Sequence, residues 1–367
     1  MDAAVSRISC CSTATRLARQ PECLFWGTNR VDGSILPTDA VSDVLRVVRL
    51  GGAVYLNGEF TAPWCVLGKP EANFCASYLP RSERVVSFHL ITAGECWARR
   101  SGDPASELLV RAVELLVVPQ GEAHIMGSDL RARPAPSAAL LLEHVRSRPG
   151  EVLSLAYGGG GERTRVICGF LACDEVLSNP LLASLPRLFK IDMRHNPRSA
   201  WLESSLEFAT SEAAECRAGS ATVLGRLAEL LFVEAVRRCI DALPPDRKGW
   251  LAGVRDRFVG RALALLHAQP ARDWTLDVLA REVGLSRSAL AQRFTDLVGA
   301  PPMQYLAQWR LQIAARELLI GNLSMATIAA QVGYDSEAAF SRAFKREFGK
   351  PPASWRRSRE AAAGPMP

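Results

Sequence analysis

The strongest constraint on this chain is a pattern that it writes twice between Trp274 and Trp355. The first copy runs Leu279-Ala280-Arg281-Glu282-Val283-Gly284-Leu285-Ser286, continues through a polar stretch to Phe294 and closes on Gly299-Ala300-Pro301-Pro302. The second runs Ile328-Ala329-Ala330-Gln331-Val332-Gly333-Tyr334-Asp335, continues to Phe344 and closes on Gly349-Lys350-Pro351-Pro352. Gly284 and Gly333 stand 49 residues apart and Phe294 and Phe344 stand 50 apart, so the copies differ by one residue inserted at the turn. Self-similarity of this kind marks a repeated supersecondary unit.

Each copy reads as helix–turn–helix. Leu276, Leu279, Ala280 and Val283 recur at three- and four-residue spacing and line one face of a short helix. Gly284 suits the left-handed residue that ends it. Ser286 then offers a hydroxyl to cap the next helix, as Asp335 or Ser336 does in the second copy. Leu290, Phe294 and Leu297 turn inward on one second helix, and Phe340, Phe344 and Phe348 on the other. The outer faces carry Arg287, Ser288, Gln292 and Arg293, and then Glu337, Ser341, Arg342 and Lys345. These side chains reach base edges and phosphates from a major groove. Between the copies, Met303 to Ile320 has neither Gly nor Pro, and Leu306, Trp309, Ile313 and Leu318 give a helical stripe. A helix of that length spans roughly 27 Å. It is long enough to set two recognition helices about one duplex turn apart on one face of DNA.

The run Gly333-Tyr334-Asp335-Ser336-Glu337-Ala338-Ala339-Phe340-Ser341-Arg342-Ala343-Phe344-Lys345-Arg346 resembles the signature of the AraC/XylS family of bacterial transcription regulators, and Gly349, Pro351, Pro352 and Trp355 belong to it. The resemblance covers about residues 255–357. It implies that Ser288, Ala291 and Gln292 in the first copy, and Glu337, Ala338, Ser341 and Arg342 in the second, occupy base-reading positions. Ser288 and Ala291 are small, so the first helix is expected to read bases weakly.

The charge supports the same division. The chain carries a formal +6, but residues 245–367 hold 18 Lys/Arg against 11 Asp/Glu, while the rest hold 26 against 27. A basic C-terminal part on a near-neutral N-terminal part suits a DNA-binding domain attached to a sensor. The longest apolar runs fall short of the 18 or so residues of a membrane span.

The first forty residues are poorly patterned and contain Cys10, Cys11 and Cys23. They read as an extension. From Asp43 the pattern changes: Val44, Leu45, Val47 and Val48 predict a short helix or strand leading into Gly51–Gly58. Short apolar runs punctuated by Gly, Pro and Asn then follow at 84–91, 108–111, 115–118, 140–144, 152–157 and 165–171. Strands so spaced predict a small antiparallel barrel or sandwich. Glu114–His124, with its Pro119-Gln120-Gly121 turn, resembles the second half-motif of the cupin fold. His89–Trp97 resembles the first half as it stands in cupin sensors of AraC-type regulators.

Enzymatic cupins bring a His-x-His pair and a carboxylate from the first half. Here Phe88, Leu90 and Ile91 surround His89, and only His89 and His124 occupy comparable places. Two imidazoles with a thiolate from Cys96 or Cys75 have the chemistry of a zinc site, yet such histidines are more often buried hydrogen-bonding residues. No metal and no cofactor is expected. Of the ten cysteines, Cys168, Cys173 and Cys239 sit in apolar contexts that suit small core residues. Cys65, Cys75 and Cys96 fall on or beside the strands. The regulators that this cupin resembles imply thiol sensing of reactive chlorine species. Cys96, before Trp97 and near Arg99 and Arg100, is expected near solvent with a lowered pKa, able to oxidise or to pair with Cys65 or Cys75. Glu95 opposes that, and a packed thiol is the alternative.

Helices are predicted over 199–210 and 222–240; in the resembled family helices here pair two protomers. Leu243–Gly249 reads as an inter-domain linker, and Val254–His267 as the first helix of the C-terminal domain. The chain is thus expected to be multidomain. An extension (1–40) precedes an all-β cupin barrel (41–195) with sensor candidates Cys96, Cys65, Cys75, His89 and His124. A helical linker or dimerisation region (196–243) follows. An all-α domain with two helix–turn–helix motifs (250–357) then presents Arg287, Ser288, Ala291, Gln292, Arg293, Glu337, Ala338, Ser341, Arg342 and Lys345 to DNA, ahead of a tail (358–367). The expected function is a cytoplasmic, non-enzymatic regulator, an activator. Its partners are an operator in double-stranded DNA, a second copy in a homodimer, RNA polymerase and an effector, with no membrane. A metal-dependent cupin enzyme fused to a DNA-binding domain is the alternative.

Overall fold

The computed structural model describes residues 30–31, 34–35 and, from 39 to 363, all but 49, 71, 80–83, 142–150, 174–178, 195–199, 216, 245 and 322. Cys10, Cys11, Cys23 and the last residues of the tail lie outside the described residues. Within the segment up to Pro37, a unit of its own, Arg30–Val31 pairs antiparallel with Ser34–Ile35.

The unit from Thr38 opens on helix α1 (Ala40–Val48), which settles the helix-or-strand ambiguity of the Val44 region. Among the described residues eleven strands follow, arranged in two sheets. The six-stranded sheet consists of β1 (Gly51–Thr61), β3 (Arg84–Ala93), β6 (Glu114–Val118), β9 (Leu153–Gly158), β10 (Arg163–Cys173) and β11 (Phe189–Asp192), in the order β9-β1-β10-β3-β6-β11. The five-stranded sheet consists of β2 (Cys65–Gly68), β4 (Glu95–Arg100), β5 (Leu108–Arg111), β7 (His124–Gly127) and β8 (Ala135–Pro136), in the order β8-β2-β7-β4-β5. Their inner faces share one core. Cys96, Ala98, Val110 and Met126 from the smaller sheet meet Leu56, Phe60, Ile91, Val166, Cys168 and Phe170 from the larger. Short helices α2 (Ala72–Ala76) and α3 (Asn179–Ser184) fill the connections.

The expected strand at 140–144 is not one. Residues 137–141 are helical and bury Leu141, while 142–144 lie outside the described residues. A short apolar run fits a buried helical turn as well as a strand, and periodicity cannot separate them.

The larger sheet is buried on both faces. Ile167 and Leu171 of β10 point away from the barrel core into a second cluster, under helices α4 (Ala200–Glu215) and α5 (Ser220–Asp241). Helix α5 lies on β1 through Leu224, Ala228 and Leu231. The backbones touch where Gly52 meets Gly225: a Cβ on Gly52 would stand 2.1 Å from the Gly225 carbonyl oxygen. Glycine at both positions is what lets the helix sit that low.

The C-terminal half is helical: α6 (Trp250–Arg255), α7 (Arg257–Ala268), α8 (Leu276–Val283), α9 (Arg287–Val298), α10 (Pro302–Ile320), α11 (Met325–Gln331), α12 (Glu337–Phe348) and α13 (Pro352–Ala363). The single helix expected over 254–267 is two. Asp256 is extended (φ −69°, ψ 134°) and its carboxylate accepts from the amides of Phe258 and Val259, so it ends α6 and caps α7. Helix α1 packs on α7 and α10, with Val44 and Val47 fully buried, so one apolar cluster runs from the sheet-covering helices into the C-terminal half.

Candidate nucleic-acid interface and sensor cavity

Both copies of the repeat fold as their capping residues dictate. Thr275 accepts from the Val278 amide to start α8, which ends at Gly284 with φ +80°. Ser286 accepts from Ala289 to start α9. In the second copy Ser324 caps α11 through Thr327, Gly333 turns at φ +81°, and Ser336 caps α12 through Ala339. Ser336, not Asp335, is therefore the cap.

Below each second helix lies a buried aromatic anchor, Phe294 in α9 and Phe340 with Phe344 in α12, all with no exposed surface. That fixes which faces look outward. Arg287, Ser288, Gln292 and Arg293 are exposed and Ala291 is partly covered; Glu337, Ala338, Arg342 and Lys345 are exposed and Ser341 is partly covered. The faces differ in electrostatics. On α9, Arg287 lies 3.7 Å from Asp277, and the Gln292 amide donates to Asp296 at 2.8 Å. Arg293 Nε donates to both oxygens of Asp256 at 3.0 Å. Arg293 is thereby bound to the cap of α7, and this pair holds the Asp256 carboxyl below its usual range against the opposing effect of burial. On α12, neither Arg342 nor Lys345 makes an ion pair or side-chain hydrogen bond among the described residues. The second helix offers cations already free to meet phosphate or a base edge, while those of the first must exchange carboxylate partners.

In the barrel the two expected histidines meet. His89 Nε2 lies 2.7 Å from His124 Nε2, His124 Nδ1 lies 3.0 Å from the Glu122 carbonyl oxygen, and His89 Nδ1 lies 3.0 Å from Cys168 Sγ. The carbonyl only accepts, so it sets every proton in the neutral chain. His124 carries its proton on Nδ1, His89 donates from Nε2 to His124, and the Cys168 thiol donates to His89 Nδ1. Burial drives both imidazoles below their ordinary pKa, and the neighbouring His124 depresses His89 further. Tyr55 hydrogen-bonds Cys168, whose thiol burial pushes well up. A cavity of about 40 Å³ beside this chain is lined by Tyr55, Trp64, His89, His124, Met126 and Cys168 among others. It has room for a few water-sized molecules.

The cysteine expectations need correction. Cys96 is 1% exposed, and burial together with Glu95 pushes its thiol up to about 12. It points into the barrel because Trp97, its neighbour on the strand, takes the outward position at 41% exposure. Cys65 pairs across Gly127 with Trp97 and so shares the outer face, packed with Ile125 and Leu130. Cys96 and Cys65 stand on opposite faces of one sheet, which rules out a disulfide without refolding it. Cys75, like Cys96, is buried in the barrel core. The sequence marks Cys168 as a small core residue, as it is, but points neither to its bond with His89 nor to Tyr55; the alternation Val166, Cys168, Phe170 is the signal that places Cys168 inward. Among the described residues no three His, Cys, Asp or Glu side chains converge as a metal site, and no helix is long and apolar enough to cross a membrane.

Comparison with known proteins bears on both halves. A cupin family model matches residues 39–241, and a helix-turn-helix domain model matches residues 279–358. A putative AraC-like transcription regulator of Streptomyces lividans is 33% identical over 75% of this chain and 87% of its own length. The HTH-type transcriptional regulator AlkR of Acinetobacter baylyi (strain ATCC 33305 / BD413 / ADP1) is 31% identical over 87% of this chain and 99% of its own. The RCS-specific HTH-type transcriptional activator RclR of Escherichia coli (strain K12) is 31% identical over 57% of this chain and 76% of its own.

Proposed function

The chain belongs to the AraC-type transcription regulators, a DNA-binding double helix–turn–helix behind a cupin domain, and on that premise we propose that α9 and α12 enter neighbouring major grooves of one operator while the barrel cavity receives the signal. The observation that supports this reading is the pair of capped turns, each holding a polar helix face outward over a buried aromatic anchor. In this reading the protein is a cytoplasmic activator that contacts RNA polymerase and performs no turnover. Its base-reading residues are Ser288, Ala291, Gln292, Glu337, Ala338, Ser341 and Arg342, with Arg287, Arg293 and Lys345 on phosphate. It acts as a homodimer, since Val223 and Leu230 lie seven residues apart on α5 and are 39% and 51% exposed. A single monomer boundary in sedimentation would remove the dimer.

Arg342 tests the DNA assignment. Arg342→Ala should weaken binding to a selected operator by about 1–3 kcal/mol, the usual cost of losing a base-edge contact, and leave binding to random duplex nearly unchanged. Titration of both DNAs at one salt concentration decides it. Equal losses on both would make Arg342 a phosphate anchor.

For the signal, the Escherichia coli relative bears a name that specifies RCS, and a cavity of about 40 Å³ suits a small species. We propose a small oxidant as effector; Cys96 and Cys168 are both buried with raised thiols, and Cys168 is the responsive one because it lines the cavity and closes the hydrogen-bond chain through His89 and His124. Oxidation of its thiol to sulfenic acid by that oxidant would replace the S–H donor to His89 with a bulkier S–O–H group and disturb both sheets at once. Cys168→Ser should blunt oxidant-dependent reporter expression at least several-fold, and Cys96→Ser should respond like the wild type. The reverse ranking would return the role to Cys96.

A further inference from the structure

In the middle of helix α10, between buried Trp309 and Leu311, stands Arg310, whose hydrogen bonds all reach outside that helix. Arg310 Nε donates to the Pro270 carbonyl at 2.7 Å, Nη2 to the Arg272 carbonyl at 3.0 Å and Nη1 to the Gly333 carbonyl at 3.0 Å. Pro270 and Arg272 belong to the loop that leads into the first helix–turn–helix. Gly333 is the turn of the second. The two segments also touch directly: a Cβ on Gly333 would stand 2.8 Å from Ala271 Cα and 2.9 Å from Arg310 Nη2. The loop itself is stiffened, because Arg272 lies 4.1 Å over the Trp274 ring and donates to Glu282 of α8 at 3.0 Å, while Trp274 Nε1 donates to the Gln269 carbonyl at 2.9 Å.

Each unit joins α10 by a short connection, α9 through Gly299–Pro301 and α11 through residues 321–324, and packs on it, α9 with Phe294 against Tyr305 and α12 and α13 along its length. A helix of 19 residues fixes their separation at about 28 Å, but it does not fix their rotation about those joints. The guanidinium adds a constraint that runs directly between the two units. Its planar fork holds three carbonyls from two units at once, which an ammonium with its compact charge cannot reproduce. The three acceptors are neutral and the group is half-buried, so losing it would leave backbone carbonyls without a donor.

We propose that Arg310 is a positioning residue that locks the two recognition helices in register and thereby sets the half-site spacing that the regulator accepts. The proposal rests on the reading that α9 and α12 occupy neighbouring grooves. The probe is a duplex selected by the full-length wild-type protein from a random-sequence library, then resynthesised with 1, 2 or 5 base pairs inserted between its two protected sub-sites. Rigidly coupled modules lose roughly 10²-fold in affinity when geometry forbids simultaneous engagement, and the wild type should lose that much on the 5-base-pair insertion, which turns one sub-site to the far side. Arg310→Ala should bind the parent duplex about tenfold more weakly, with a parent-to-insertion ratio below about 5, as loosely tethered modules do. Arg310→Lys keeps the charge and should behave like the alanine variant.

A lowered melting temperature with the wild-type spacing ratio intact would make Arg310 a stability residue only and overturn the proposal. So would a ratio restored by lysine, or failure of both variants to melt cooperatively. A wild type indifferent to every insertion would instead overturn the two-groove reading, whatever the variants do.

Discussion

Phe344→Ala is expected to lower the stability of the protein by about 3–5 kcal/mol, the range for emptying a buried phenylalanine site, and to abolish specific DNA binding with it. Phe344 has no exposed surface. Its ring centroid lies 5.6 Å from that of Phe340, 4.4 Å from Phe348 and 5.7 Å from Trp355, which is itself buried. These rings come from α12 and α13, so Phe344 is the piece that both pack upon. The site cannot collapse readily, because three rigid rings surround it. Against a total of about 5–15 kcal/mol for a folded domain, such a loss is a fifth or more of the whole. Denaturant titration followed by tryptophan fluorescence measures it, with Trp355 reporting from within the cluster. A shift under about 1 kcal/mol would show that the second unit does not depend on this anchor.

Acid should unfold the protein well before its carboxylates are neutralised. His267 of α7 is fully buried, stacked 4.0 Å from the Trp309 ring at 8°, and burial lowers its pKa to about 3. Trp250 Nε1 donates to Tyr305 Oη, and the Tyr305 hydroxyl lies 2.8 Å from His267 Nε2. With Trp250 donating to it, the Tyr305 hydroxyl donates to His267 Nε2, and the proton on His267 Nδ1 then has no partner among the described residues. A second proton would place a charge where nothing accepts it. Between about pH 6.5 and 3 the unfolded chain therefore binds a proton that the folded chain refuses. Stability is complete above pH 6.5 and falls as the pH drops through that window, by about 1.4 kcal/mol per pH unit for this one group. His89 and His124, also lowered, act in the same direction. Asp256 and Glu212 lie below their ordinary values and contribute only under about pH 4. Urea unfolding at pH 7.5 and 4.5 separates the two classes. The expected drop exceeds about 2 kcal/mol, and His267→Gln, which cannot titrate, should flatten the slope. A stability unchanged between these pH values would contradict neutral burial of His267.

Much of this protein stood in its sequence, because the signals that determined it are local. The caps Ser286 and Ser336, the turn glycines Gly284 and Gly333, and the apolar spacing from Leu276 to Val283 each act within a few residues, where chain neighbours supply the hydrogen bonds. They were enough to define the double helix–turn–helix and to name its outward faces. The strands of the barrel were legible for the same reason, through turns that punctuate short apolar runs. What lay beyond the sequence was every feature that depends on residues brought together from afar. Cys96 follows Glu95 and precedes two arginines, yet it is a buried thiol with a raised pKa, because strand alternation turns it inward while Trp97 and Arg99 take the outer face and Arg100 pairs with Asp103 and Glu122. Cys168 lies 79 residues from His89, and only the pairing of β10 with β3 makes them neighbours. Arg293 looks outward along α9 but is bound by Asp256, 37 residues earlier. Arg310 has no local partner at all; its role exists only once a loop and a turn from two different units close around it. Local spacing fixes which elements form and which face is polar. Whether a given side chain is then free, buried or clasped is decided by long-range packing, since burial and pairing are properties of the assembled core and not of the chain.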